Sequence, residues 1–139
     1  MGYGYLCYLL EIFNNRSNDF ILRQLAGICI KNYLENIANY QINQEFLKEF
    51  KIYGLASLND ENPTIRNTLS YIISSFTKID GVRHWDDLPE ILSRNLYTNN
   101  PHVFQNFLET VDNIIEDSGE ILMKTTQGTI VFITNQQFI

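Results

Sequence analysis

The chain has 139 residues, 45% apolar and 19% charged, with nine Phe and eight Tyr, so it has ample side chain to bury and is not globally disordered. Three Pro and seven Gly are too few for a turn-dense sandwich or a collagen-like chain. Ten Lys and Arg against sixteen Asp and Glu leave a formal charge of −6, which repels nucleic acid and either suits a basic protein partner or simply keeps the chain soluble.

Taken in chain order, apolar residues recur at helical spacing almost throughout. Tyr3–Phe13 reads as a first helix. Asn18-Asp19 then offers a cap before Leu22, Leu25, Ala26, Cys29 and Tyr33, the expected core stripe of a second. Ile42–Leu58 is a third helical stretch. Asn62-Pro63 opens a fourth, because a capping Asn and a Pro in the first turn both suit a helix start. Its stripe is Ile65, Leu69, Ile72, Ile73 and Phe76. Asp87–Leu96 is a fifth. Asn100-Pro101 repeats the start signal ahead of Phe104, Phe107, Leu108, Val111, Ile114 and Ile115.

The pattern is helix, short turn, capped helix, three times over, with pairs at 3–35, 42–78 and 86–117 and a repeat of about 40 residues. The expected fold is all-α, an α-α superhelix or solenoid of HEAT/armadillo type with about three helix pairs, over residues 1–122. A six-helix globular bundle would show similar stripes. The alternation of short and longer loops favours the solenoid, as does an acid at the turn, Asp60, with Arg66 one helical turn further on. Residues 123–139 are expected to be an irregular or disordered tail. Within them Thr125–Thr134 is β-branched and uncharged, reading as strand without a partner strand, or as disorder, and as an aggregation-prone window.

No catalytic chemistry assembles from the sequence. Walker A, GxGxxG, HExxH and nucleophile-elbow patterns are missing, and His84 and His102 have no second ligand at helical spacing. No catalytic residue, metal or cofactor is therefore expected. Glu116-Asp117 and Glu120 read as a solvated acidic rim, and Trp85 as an apolar plug between repeats. Cys7 and Cys29, without CxxC spacing, read as buried reduced thiols. The N-terminus lacks the basic start of a signal peptide, and Leu6 stands where a myristoylation pattern needs Ser or Thr. Asn15-Arg16-Ser17 matches a glycosylation acceptor, which carries little weight in a chain expected to be cytoplasmic and nuclear.

Four strings, in order, resemble one family. They are Arg23-Gln24-Leu25-Ala26-Gly27-Ile28-Cys29-Ile30-Lys31-Asn32, Asn62-Pro63-Thr64-Ile65-Arg66-Asn67-Thr68, His84-Trp85-Asp86-Asp87-Leu88-Pro89-Glu90-Ile91-Leu92 and Ile114-Ile115-Glu116-Asp117-Ser118-Gly119-Glu120-Ile121-Leu122. Together they are similar to the N-terminal arch of karyopherin-β nuclear transport receptors, nearest the transportin (importin-β2) branch, with Ile115 where that branch usually has Cys. The resemblance runs from Tyr3 to about Leu122. It implies a piece holding what would be repeats two to four, with the family's first repeat missing and a departure after Leu122.

In that family the arch binds Ran in its GTP state along the inner surface of the second helices, and Ran binding displaces cargo. The resemblance thus implies a binding protein and not an enzyme, with cargo proteins and nucleoporins engaged through repeats absent here, and no membrane insertion. Among off-stripe positions of the second helices, Lys31, Asn32, Asn67, Ser74, Glu109, Asp112 and Glu116 are the expected Ran-facing residues. Arg23, Arg66 and Trp85 are expected in structural, inter-repeat roles. The alternative is a HEAT-repeat scaffold or adaptor of another kind, such as a phosphatase regulatory subunit or a coatomer-like adaptor. An enzymatic role survives only if the piece contributes to a larger site.

Overall fold

The computed structural model describes residues 3–37, 42–80, 85–96, 99–118, 120–124 and 130–134. Six helices follow one another: α1 (Tyr3–Asn14), α2 (Phe20–Glu35), α3 (Gln44–Tyr53), α4 (Pro63–Asp80), α5 (Leu88–Leu96) and α6 (Pro101–Ser118). A 3₁₀ turn, Gly54–Ser57, extends α3, and two strands, β1 (Glu120–Lys124) and β2 (Ile130–Thr134), close the order. The chain forms two compact units, residues 1–72 and 73–139.

Helix starts are fixed by Asx side chains that take up otherwise orphaned N–H groups. Asp19 Oδ1 accepts from the Ile21 amide at 2.8 Å, Asn43 Oδ1 from Phe46 at 3.0 Å, Asn62 Oδ1 from Thr64 at 2.9 Å and Asn100 Oδ1 from His102 at 2.9 Å. Pro63 and Pro101 each occupy the first helical position after such a cap, where a missing donor costs nothing.

In the first unit α2 packs on α1, α1 on α3, and α2 on α4, so first helices meet first and second meet second. That is the stacking of an all-α fold of HEAT-like helical repeats. The α2–α4 approach is close. Gln24 Nε2 donates to Thr68 Oγ1 at 3.0 Å, and a Cβ on Gly27 would lie 2.6 Å from Phe13 Cε1 and 2.9 Å from Thr68 Cγ2. Gly27 lets α2 lie between both neighbours.

On α4 the stripe Ile65, Leu69, Ile72, Ile73 and Phe76 is buried throughout, each side chain contributing about 1.5–3 kcal/mol. The flanks of that stripe are buried too, through Thr68 on one and Ser70, Ser74 and Thr77 on the other, while Asn67 and Tyr71 are exposed between them. Such hydroxyls survive burial by bonding within the helix: Thr68 Oγ1 donates to Thr64 O at 2.9 Å and Thr77 Oγ1 to Ser74 O at 2.8 Å. Flanks that meet a neighbouring helix closely need small side chains.

In the second unit α5 packs on α6, and β1 runs along both. The strands pair antiparallel, Glu120 with Thr134 through Lys124 with Ile130. This corrects two expectations. Glu120, Ile121 and Leu122, placed by resemblance at the end of a helix, form a strand. The β-branched segment after them is not a solitary strand or an irregular tail over 130–134, because β1 supplies its partner. Residues 125–129 and 135–139 of the expected tail lie outside the described residues, as does His84.

Candidate functional site

The inward face of α2 is Arg23, Ala26, Gly27, Ile30 and Leu34, not the predicted Leu22, Leu25, Cys29 and Tyr33. Of the predicted stripe Ala26 is buried, Tyr33 is half-buried, and Leu22, Leu25 and Cys29 are exposed. One residue of offset is about 100° of rotation. Apolar patterning misplaces the face because its inward positions include a Gly and a charged Arg. Cys29 is exposed and Cys7 only partly buried, which corrects the expectation of two buried thiols. On α6, Phe107, Val111, Ile114 and Ile115 are buried while Phe104 and Leu108 remain exposed.

Arg23 is buried because its charge is met. Its Nη2 lies 2.6 Å from Asp60 Oδ2, its Nε donates to Phe13 O at 2.8 Å, and Nη2 is 3.4 Å from Ser57 Oγ. Ser57 Oγ donates in turn to Asn14 Oδ1 at 2.8 Å, and Asn14 Nδ2 donates to Tyr53 O at 3.0 Å. Asp60 also receives the Asn62 amide on Oδ1 at 2.9 Å and lies 3.5 Å from Arg16 Nε. Burial alone would raise the Asp60 carboxyl, but the Arg23 hydrogen bond, the Asn62 amide and the charges of Arg23 and Arg16 together hold it below the ordinary 3.8. This polar cluster fastens the turn after α3 to α1 and α2.

Arg66 Nη1 donates to Asp60 O at 2.6 Å and Glu61 O at 3.2 Å, carbonyls in the turn just before its own helix. These two bonds secure the turn between α3 and α4. Trp85, in the second unit, is buried edge-on against Phe76 of α4, with ring centroids 6.5 Å apart at 73°.

The Ran-facing candidates fall into two groups. In the first unit Asn32 and Asn67 are exposed and Lys31 is half-buried. The Lys31 ammonium lies 5.3 Å from the Tyr71 ring centroid and 3.7 Å from Glu35 Oε1. In the second unit Glu109, Asp112 and Glu116 are exposed along α6 at i, i+3 and i+7, one stripe of a helix that contains no Lys or Arg.

Ser74 belongs to neither group. It is wholly buried, and its hydroxyl donates to Asn113 O of α6 at 3.0 Å, so it is a helix-packing residue and not a partner contact. Sequence reasoning missed Tyr71, which is half-exposed one helical turn after Asn67 on the same face of α4. That spacing was the signal.

His102 is exposed at the start of α6. Among the described residues no cluster of three or more His, Cys, Asp or Glu is disposed to hold a metal ion, and no helix is long and apolar enough to cross a membrane.

Stacked helix pairs joined by a buried Asp–Arg contact define a helical-repeat protein of HEAT type. The Importin-beta N-terminal domain family matches residues 3–75, and the chain belongs to the importin-β (karyopherin-β) family. Its similarity is to the transportin branch. Transportin-1 of Mus musculus and that of Homo sapiens are each 28% identical over 120 residues, 86% of this chain. The transportin of Dictyostelium discoideum is 27% identical over 123 residues, 87% of the chain. The chain spans 13% of the length of each of these curated relatives.

Proposed function

We propose that this chain is a segment of a nucleocytoplasmic transport receptor for nuclear protein import, moving between cytoplasm and nucleus, and that its second helices bind Ran in the GTP state. The observation that carries the reading is the match of residues 3–75 to the Importin-beta N-terminal domain. Exposed Asn32, Asn67 and Tyr71 with Lys31 in the first unit, and Glu109, Asp112 and Glu116 in the second, support it chemically. An acidic stripe meets basic patches on a partner through complementarity that governs encounter rate and specificity. State dependence comes from the partner, because a GTPase orders its switch segments around the γ-phosphate and releases them on hydrolysis.

The experiment is a pull-down with Ran loaded with GTP against Ran loaded with GDP. Retention of the GTP form alone is the expected result. Equal capture of both forms, or of neither, moves the chain to the scaffold reading.

A further inference from the structure

A cleft of about 610 Å³ opens between α1 and α3, the first helices of successive pairs, within the ~300–1,000 Å³ range of ligand-binding clefts. Both walls belong to this chain: Cys7, Leu10 and Glu11 line it from α1, Glu49 and Tyr53 from α3, with Ala56 of the 3₁₀ turn at one end. First helices stack on first helices, so a pair ahead of α1 would meet it on the flank away from α3.

The cleft combines an apolar base, an aromatic rim and negative charge. Leu10 is buried and Cys7 partly buried, while Tyr8 on α1 and Tyr53 on α3 are 62% and 59% exposed. Glu11 is exposed, and its carboxylate has no hydrogen-bond or ion-pair partner among the described residues. Glu49 is half-buried on the other wall, and among the described residues no Lys, Arg or His lines the cleft. Arg16 reaches the Ala56 end, donating to Ala56 O at 3.4 Å. Its charge is already committed, with Nη2 on Asn59 Oδ1 at 2.8 Å and Nε 3.5 Å from Asp60 Oδ2.

We infer that this cleft binds a basic peptide segment of a partner protein, seating one Lys or Arg side chain between Tyr8 and Tyr53 with its charged head at Glu11. Charge complementarity selects that occupant. Such a side chain has an apolar stem for Leu10 and a cationic head, ring faces attract the cation, and the carboxylate gives it a charge-assisted hydrogen bond. An anionic segment is repelled, and an uncharged apolar one would cover Glu11 without pairing it. The site uses none of the residues assigned to Ran and does not depend on that assignment.

Titration calorimetry of the full 139-residue chain with acetyl-Gly-Gly-Lys-Arg-Lys-Gly-Gly-amide tests it, beside the same peptide with Gln or with Phe in place of its basic residues. The basic peptide should bind, more weakly as salt is raised, and the Gln and Phe peptides should not. Glu11→Gln should weaken binding at least about threefold, and Tyr8→Ser combined with Tyr53→Ser about tenfold. Far-ultraviolet circular dichroism should stay unchanged in both, because all three side chains are exposed. Glu90→Gln, which removes the same charge from an exposed site on α5, should leave the affinity as it was. Failure of the basic peptide to bind, or unaltered affinity in the cleft variants, overturns the inference. Equal binding of the Phe peptide overturns it in favour of an apolar groove, and equal weakening by Glu90→Gln reduces it to net charge.

Discussion

Asp60 Oδ2 lies 2.6 Å from Arg23 Nη2, with the two side chains 3% and 6% exposed, so a turn of the second helix pair holds a cation on the second helix of the first. Removing one partner of such a pair strands the other charge away from water, which costs about 3–5 kcal/mol. Asp60→Ala should therefore lower unfolding stability by roughly that amount, measured by urea denaturation monitored by circular dichroism. A loss within experimental error would mean that Arg23 finds equivalent partners among Ser57, Asn14 and the Phe13 carbonyl.

The same contact sets an acid limit. Asp60 has a lower pKa folded than its ordinary 3.8, so its contribution is fully present above 3.8. As pH falls below that, the unfolded chain takes up the proton first, and stability drops until the folded carboxyl is itself protonated. Urea midpoints recorded down the acid range should fall in that window for the native chain. They should fall less steeply there for Asp60→Asn, which has nothing to titrate.

Gly27 occupies a helix interior, where Ala is intrinsically better by about 1 kcal/mol. Contact geometry reverses the sign, because the added methyl would meet Phe13 at 2.6 Å and Thr68 at 2.9 Å. Gly27→Ala should destabilise by about 1–3 kcal/mol, and adding Phe13→Leu should recover part of the loss by opening the Phe13 side. A stabilised Gly27→Ala would mean that α1, α2 and α4 separate more easily than their packing implies.

Ser74 and Asn67 lie on one helix and should behave in opposite ways. Ser74→Ala removes a buried hydrogen bond to Asn113 O and should cost about 1 kcal/mol of stability, with affinity for GTP-loaded Ran unchanged. Asn67→Ala and Tyr71→Ala alter exposed positions and should weaken that affinity while leaving the urea midpoint nearly fixed. Titration calorimetry beside denaturation separates the two effects, and a binding defect confined to Ser74→Ala would reverse the assignment.

The acidic stripe of α6 should act on rate. Glu109→Lys combined with Asp112→Lys should slow association with GTP-loaded Ran and flatten its salt dependence, read by surface plasmon resonance over a range of salt concentrations. Unaltered association kinetics would take α6 out of the partner surface.

Helix number and order were legible from apolar spacing, and the starts of α2, α4 and α6 because each carries an Asx cap, reinforced by Pro at α4 and α6, signals local to a few residues. The α4 stripe was legible because its inward positions are large and aliphatic. The rotation of α2 was not, since Arg23 faces inward only because Asp60, 37 residues away, neutralises it. Burial of Ser74 was equally hidden: a Ser reads as polar, and only a neighbour on that flank of α4 turns a small hydroxyl into a packing group. Strand β2 looked solitary because Glu120–Lys124 continued a helical resemblance, and pairing depends on a segment whose own pattern is short and ambiguous.

Partner contact on the exposed faces of the second helices is read out by hydrogen–deuterium exchange of the chain with and without GTP-loaded Ran. Added protection should be concentrated in peptides from α2, α4 and α6, and GDP-loaded Ran should produce none. Protection confined to α1, α3 and α5, or the same pattern with either nucleotide, would contradict the account.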